Sequence, residues 1–326
     1  MYCTLKTSLI LIFLVTSTAG KPSEMRLENS LPRTADTQYL GGYKPSQTLA
    51  VIAALLWALS PHFYIFLALG LIRCSDWWRC GRPKFMMSLI MGMYACCTGY
   101  TLRTLYIRFP QSEVIFVAMN EVILLAPCLF YIVTYVLFSR ILSTFDLEVA
   151  QRCLPIRPSR ITPIFVGTTL LFAVGEAVGV ALTAVSGSTV QNVGNKVALL
   201  SIGFQFFFVE LFMLVLFIFR RRMRREFPEL WHYNDAPRFT FWGRTPIAWK
   251  PVFYILAITS TVLLARSVYR IVEFSLGQDG YLMQHEVFLY ACDALPVWLA
   301  MSVYCFVWPT RALGSRPSQI PLVHHA

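Results

Sequence analysis

The chain has 326 residues, 56% hydrophobic and only 14% charged, with a mean hydropathy of +0.58. Soluble domains carry about 25% charged residues, so this composition excludes a soluble globular enzyme or scaffold and points to an integral membrane protein. The net charge of +11 does not indicate nucleic acid, because the basic residues lie between apolar segments, where they set orientation and meet anionic headgroups.

At the N-terminus, Lys6 precedes a short apolar run from Ser8 to Val15, and Ser17-Thr18-Ala19 offers small residues for cleavage. Residues 1–20 therefore read as a signal peptide, and the run falls short of the ~20 residues that a span requires. Residues 21–48, with Pro22, Pro32, Gly41, Gly42 and Pro45, show no apolar period and read as a flexible extracellular tail.

From there to Pro309 the chain reads as one all-α membrane domain, residues 49–309, followed by a cytosolic tail, residues 310–326. Seven segments are expected to span as helices: Leu49 to Ile72, Phe85 to Tyr106, Val114 to Phe138, Pro163 to Val185, Val197 to Phe219, Pro251 to Leu276 and His285 to Trp308. The first, third and fifth connections and the tail hold eighteen Lys and Arg, among them Arg220, Arg221, Arg222, Arg224 and Arg225. The second and fourth hold only Arg108 and Lys196. Cytosolic loops accumulate such residues, so the N-terminus is expected outside and the C-terminus in the cytosol. The stretch 220–250, where arginines mix with Trp231, Tyr233, Trp242 and Trp249, is expected to lie against anionic inner-leaflet headgroups.

Polar residues within the spans carry the functional argument. Arg266, Arg270 and Glu273, then Glu286, Tyr290 and Asp293, repeat the same i, i+4, i+7 spacing. On a helix each set falls within roughly 60° of one face. If Gly280 marks the tip of a helical hairpin, Arg266 faces Asp293, Arg270 faces Tyr290 and Glu273 faces Glu286. Two arginines against three carboxylates leave a surplus of negative charge, which suits a cationic amine. Glu121, Glu176 and Glu210 lie on the order of 10 to 15 Å from the nearest interface, while Arg103 is close enough to the outer end of its span to snorkel. Charges in hydrocarbon are costly, so these side chains form a packing clamp, line a substrate path or act as a proton-coupled switch. Pro127 and Pro296 are expected to kink their helices and free backbone carbonyls.

Several chemistries lack their residues. There is no GxxxxGK[ST] phosphate loop, so no ATP hydrolysis is expected. Only His62 and His285 lie in or beside spans, too few for a membrane zinc hydrolase. No nucleophile stands at a recognisable spacing from a base, and no cofactor is expected. Five of the nine cysteines, Cys96, Cys97, Cys128, Cys292 and Cys305, sit in apolar runs and read as small packing residues.

The hairpin residues Arg266-Ser267-x-Tyr269-Arg270-x-x-Glu273, followed by Gly277, Gly280, Glu286, Tyr290, Asp293 and Pro309, also form a pattern. With Gly99-Tyr100-x-x-Arg103, and Leu124-Leu125-Ala126-Pro127 ahead of Tyr135 and Arg140, it resembles the fungal RTA-like family of lipid-translocating exporters. The resemblance runs from about Leu49 to Pro309. It departs where the family usually shows Asp and Gln, here Thr169 and Glu176, and where a His before the closing Pro is Trp308 here. Gly179 and Gly203 agree, and Gln205 lies near an expected Gln.

The resemblance implies a seven-span protein that moves amphipathic, sphingoid-base-like lipids or lipophilic toxic compounds, contributing to lipid homeostasis or to drug and stress resistance. It implies the plasma membrane of a fungus, with membrane lipids and an amphipathic small molecule as partners. The alternative is a seven-helix stress sensor or receptor signalling through its basic cytosolic loop.

Overall fold

The computed structural model describes residues 45–73, 86–183, 188–232, 249–276, 280–306 and 309. The expected signal peptide, nearly all of the expected outer tail, the first basic connection, most of the fifth and the C-terminal tail lie outside these residues.

Every described element is helical. The long helices are α1 (Gln47–Arg73), α2 (Met86–Arg108), α3 (Glu113–Leu142), α5 (Pro158–Thr183), α6 (Ser188–Glu226) and α8 (Trp249–Leu276). Two short helices, α4 (Leu147–Cys153) and α7 (Pro228–His232), sit in connections. The chain closes with α9 (Tyr281–Gln284), α10 (Glu286–Phe288), a π-helical segment Leu289–Ala294 and α11 (Leu295–Phe306). Their starts follow local chemistry. Ser112 caps α3, its Oγ accepting from the Ile115 N–H at 3.4 Å, and prolines open α5 and α7, where a missing N–H costs nothing.

Among the described residues, five helices are long and apolar enough to cross a membrane: Glu113–Leu142, Pro158–Thr183, Thr189–Glu226, Trp249–Leu276 and Glu286–Tyr304. In α1 the part whose side chains are described, Gln47–Phe63, is also apolar. Helix α6 runs well beyond its expected span. Its 39 residues reach about 58 Å at 1.5 Å per residue, against a hydrocarbon core of about 30 Å. The run Arg220–Arg225 thus continues the helix past the apolar stretch instead of breaking it.

The outward faces are apolar, unlike those of a soluble protein. Leu170, Leu171, Val174 and Val178 on α5 are all at least half exposed, a large apolar face that suits lipid and not water. The opposite face of α5 packs on α6 through small residues. A Cβ built on Gly179 would stand 2.5 Å from the Ala198 backbone nitrogen, and one on Gly194 2.7 Å from the Gly179 carbonyl oxygen. Gly175, four residues earlier, meets the side chain of Ser201. Small residues four apart allow two backbones to approach closely where no hydrophobic effect drives association.

The two ends of the bundle differ. The Ser46 end holds the starts of α1, α3 and α6 and the polar residues described below. The Trp249 end is closed by buried rings from four helices. Tyr135 stacks edge-on against Phe212 at 4.7 Å, Phe138 against Phe219 at 5.6 Å and Phe145 against Trp249 at 5.0 Å, with Phe165 and Phe253 filling between them. Such edge-to-face contacts add about 0.5–1.5 kcal/mol each beyond burial. Outside this layer, cations lie over aromatic faces: Arg220 on Tyr254 at 5.5 Å, and Arg224 and Lys250 on Trp231 at 5.8 and 5.1 Å. Nearby, Arg222 donates to the Arg152 carbonyl at the end of α4 at 3.0 Å.

Candidate functional site: a buried ionic network beside a cavity

Three helices meet near the Ser46 end: α2, α8 and the closing helix. Arg266, Arg270 and Glu273 follow one face of α8, and all three are buried. The expected pairing of Arg266 with Asp293 is present, Nε to Oδ1 at 2.5 Å. The other two hairpin pairings are different. Arg270 donates through Nη2 to the second oxygen of Asp293 and through Nη1 to Glu273 Oε2 at 2.8 Å. Tyr290 instead turns to α2, with the Arg103 guanidinium 5.9 Å from its ring centre and the Tyr100 ring beside it at 5.9 Å. Glu286 also turns to α2. Its Oε1 accepts from Arg103 Nη2 at 2.5 Å and Nε at 3.2 Å, and its Oε2 from the backbone N–H of Ser46 at 2.6 Å.

The π-helical segment explains the change of register. Leu295 N–H reaches back five residues to the Tyr290 carbonyl, immediately before Pro296, which has no N–H and whose ring crowds the preceding turn. The widened turn breaks the i, i+4, i+7 register of the second stripe. Asp293 stays against α8 while Glu286 and Tyr290, farther toward the N-terminus, rotate onto α2. Such π turns recur at functional sites.

Arg103 does not snorkel. It is 3% exposed, because Glu286 holds it inward and Gly99, whose missing side chain leaves room for Ile123, lets α2 close on α3. Its arrival also corrects the charge count. Arg103, Arg266 and Arg270 stand against Glu273, Glu286 and Asp293, three against three, so the surplus carboxylate expected from the hairpin alone is neutralised within the network.

Backbone groups complete the site. Pro127 cannot donate to the carbonyl four residues earlier, and that carbonyl, Ile123 O, accepts from Arg266 Nη2 at 3.3 Å. One turn toward the Trp249 end from Arg266, Tyr131 OH bonds Ser267 Oγ at 2.7 Å and the Leu263 carbonyl at 3.2 Å. Tyr131→Phe is expected to cost about 1 kcal/mol in unfolding by sodium dodecyl sulphate, because Ser267 keeps its own bond to Leu263 O at 3.1 Å.

The remaining candidates divide. Glu176 is 3% exposed on α5, within range of the charges of Arg266, Arg270 and Glu121, and has no ion pair among the described residues. Gln205, also buried, donates to Cys128 Sγ at 3.4 Å. Glu121 and Glu210 are half-buried, each with an Oε2 that has no hydrogen-bond partner among the described residues. Glu210 precedes Phe212 of the aromatic layer by two residues and stands apart from the network.

Beside the network lies a cavity of about 110 Å3. Arg103, Arg270, Glu273 and Glu286 line it together with Asn120 and Asn195, and its remaining wall includes Phe116, Phe274, Leu282 and Leu289. Pockets for drug-sized ligands measure about 300–1,000 Å3, so this space admits a head group and leaves a chain outside. Sequence reasoning missed Ser46, Asn120 and Asn195, and placed Arg103 outside the network. The unbalanced hairpin was itself the signal that a third cation was required. Among the described residues no group of three or more His, Cys, Asp or Glu is placed to hold a metal ion.

No solved structure matches the chain. Protein RTA1 of Saccharomyces cerevisiae is 26% identical over 227 residues, 68% of this chain and 64% of that protein. Protoporphyrin uptake protein 1 of the same yeast is 28% identical over 206 residues, 63% of this chain and 62% of that protein. Its sphingoid long-chain base transporter RSB1 is 28% identical over 183 residues, 49% of this chain and 47% of that protein. The chain thus spans less than two thirds of the length of these relatives. The family described as RTA1 like protein matches residues 89–316, a stretch that includes the α2 arginine, Pro127, the α8 stripe and the π-helical segment, and the chain belongs to that family.

Proposed function

We propose that this protein moves amphipathic lipids, of the sphingoid-base kind, or lipophilic toxic compounds across or out of the plasma membrane, and is not an enzyme. The observation that carries this reading is the cavity of about 110 Å3, in which two arginines and two glutamates meet an apolar wall. A polar head placed there keeps polar partners at a depth where hydrocarbon would strip them away, while its tail stays in lipid. The names of two relatives, a sphingoid long-chain base transporter and a protoporphyrin uptake protein, agree with a lipophilic cargo.

In this reading the domain of residues 49–309 spans seven times. Helices α1 and α2 supply the first two spans, the Ser46 end faces outward, and the C-terminus is cytosolic, as the distribution of Lys and Arg favours. The cations set on Trp231 and Tyr254 then rest against anionic inner-leaflet headgroups. Residues 1–20 act as signal peptide and 21–48 as outer tail, and Arg103, Arg266, Arg270, Glu273, Glu286, Tyr290 and Asp293 form the polar side of the path. The outcome is lipid homeostasis and resistance to membrane-active stress.

The test is reconstitution into liposomes, following transfer of fluorescent sphingoid-base and phospholipid analogues between leaflets. Acceleration over empty liposomes is expected, with at least a tenfold loss in Arg270→Ala and Glu286→Ala variants that elute as folded protein. No acceleration of any analogue by folded protein would reject transport and favour a sensor acting through residues 220–250.

A further inference from the structure

The polar side chains on the cavity wall are not equally occupied. Arg103 and Glu286 hold each other at 2.5 Å, Arg270 holds Glu273 at 2.8 Å, and the Thr183 hydroxyl donates to the Val180 carbonyl at 2.7 Å. Asn120 on α3 and Asn195 on α6 also line the cavity, and neither side chain has a hydrogen-bond partner among the described residues. Asn120 lies about 10 Å along α3 from Glu113 at 1.5 Å per residue. A free amide at that depth keeps its demand for a partner, because hydrocarbon supplies none. Asn195 follows Gly194, whose close approach to the Gly179 carbonyl holds α6 in place against α5.

The chemistry of an amide decides which groups satisfy this pair. Each offers a carbonyl oxygen that accepts and an NH2 that donates. A hydroxyl answers either half, since it both donates and accepts, whereas an ammonium only donates and a carboxylate only accepts. An ammonium has its place nearby. Glu273 accepts one bond on each oxygen, from Tyr269 and Arg270, and Glu286 Oε2 accepts one from Ser46. These oxygens keep acceptor capacity for a further donor.

From this division we infer that Asn120 and Asn195 are specificity-determining residues, whose amides take the hydroxyls of a head group while Glu273 and Glu286 hold its ammonium. The inference rests on the cavity being the head-group site of the proposed function, and it names the residues that tell an amino alcohol from a plain amine there.

The test uses the full-length protein in nanodiscs, loaded with sphinganine labelled at its tail with nitrobenzoxadiazole. The probe is displaced by unlabelled sphinganine or by octadecylamine, ammonium amphiphiles of equal length of which only the first carries hydroxyls, with partitioning into protein-free nanodiscs subtracted. Sphinganine is expected to act at concentrations at least tenfold below octadecylamine. Asn120→Leu and Asn195→Ala are each expected to weaken sphinganine at least threefold and octadecylamine far less, a split that a loosened fold would not produce. Equal displacement by the two amphiphiles in wild-type protein, or the wild-type ratio in either folded variant, would overturn the inference and leave the cavity as a head-group site. No saturable binding of the probe by folded wild-type protein would overturn the head-group reading itself. Asn195 is exposed, so its variant decides the assignment if Asn120→Leu does not fold.

Discussion

Asp293→Asn is expected to be among the most damaging near-isosteric changes that this chain can receive. Asp293 is 3% exposed and its two oxygens separately engage Arg266 and Arg270. Asn replaces one of those oxygens with an NH2 group, so that a donor faces a donor, and the network changes from balanced to one uncompensated positive charge. Removing one partner of a buried pair costs about 3–5 kcal/mol, a large share of the 5–15 kcal/mol that holds a typical protein folded. The expected result is a fall in yield of monodisperse protein and a melting transition lowered by many degrees. Exchanging the charges, Arg266→Asp with Asp293→Arg, is not expected to restore stability, because Arg270 would then face the new arginine. A wild-type melting curve for Asp293→Asn would show that the paired arrangement does not hold the fold.

Gly179→Ala is expected to come next. The added Cβ would stand 2.5 Å from the Ala198 nitrogen, 2.7 Å from its Cα and 2.8 Å from its Cβ. These are mostly backbone atoms of a neighbouring helix, so the strain is relieved only by parting α5 from α6. Overpacking in a dense interior costs about 1–3 kcal/mol, here along a contact that also carries Gly175 and Gly194. Gly167→Ala, on the same helix, supplies the control, since nothing lies within 4 Å of its added Cβ. A thermal-shift comparison is expected to separate the two clearly. Equal behaviour of both variants would mean that the helices are not in close contact at Gly179.

Much of the fold is legible because a membrane simplifies the rules. Backbone polar groups must be satisfied within each segment, so the long apolar runs become helices, and the polar spacing on α8 gives its buried face directly. The register of the closing helix was not legible. A stripe drawn at 3.6 residues per turn assumes an unbroken α-helix, and the π turn before Pro296 carried Glu286 and Tyr290 onto another partner. The proline was visible. Which way the helix would accommodate it depends on Arg103 and Tyr100 of α2, far away in sequence. Likewise the acceptor for Arg266 is a carbonyl that no side-chain pattern displays, although Pro127 marks which one is free. Helix α6 exceeds its apolar run at both ends, over 188–196 and 220–226, because polar residues end a membrane span without ending a helix, and Arg and Glu are good helix formers.

The layer of rings at the Trp249 end carries a consequence of an electrical kind. Going inward from Ser46, the polar groups are the Glu286–Arg103 pair, then Arg270, Asp293 and Arg266, then Tyr131 bonded to Ser267. They then meet Tyr135, Phe138, Phe212 and Phe219, each no more than 1% exposed. A voltage of 100 mV exerts about 2.3 kcal/mol on a unit charge that crosses it. If the bundle crosses the membrane as proposed, with the Ser46 end open to water, that voltage falls chiefly across the rings. In that arrangement the charges of the network lie on the outer side of the drop and feel little of the voltage.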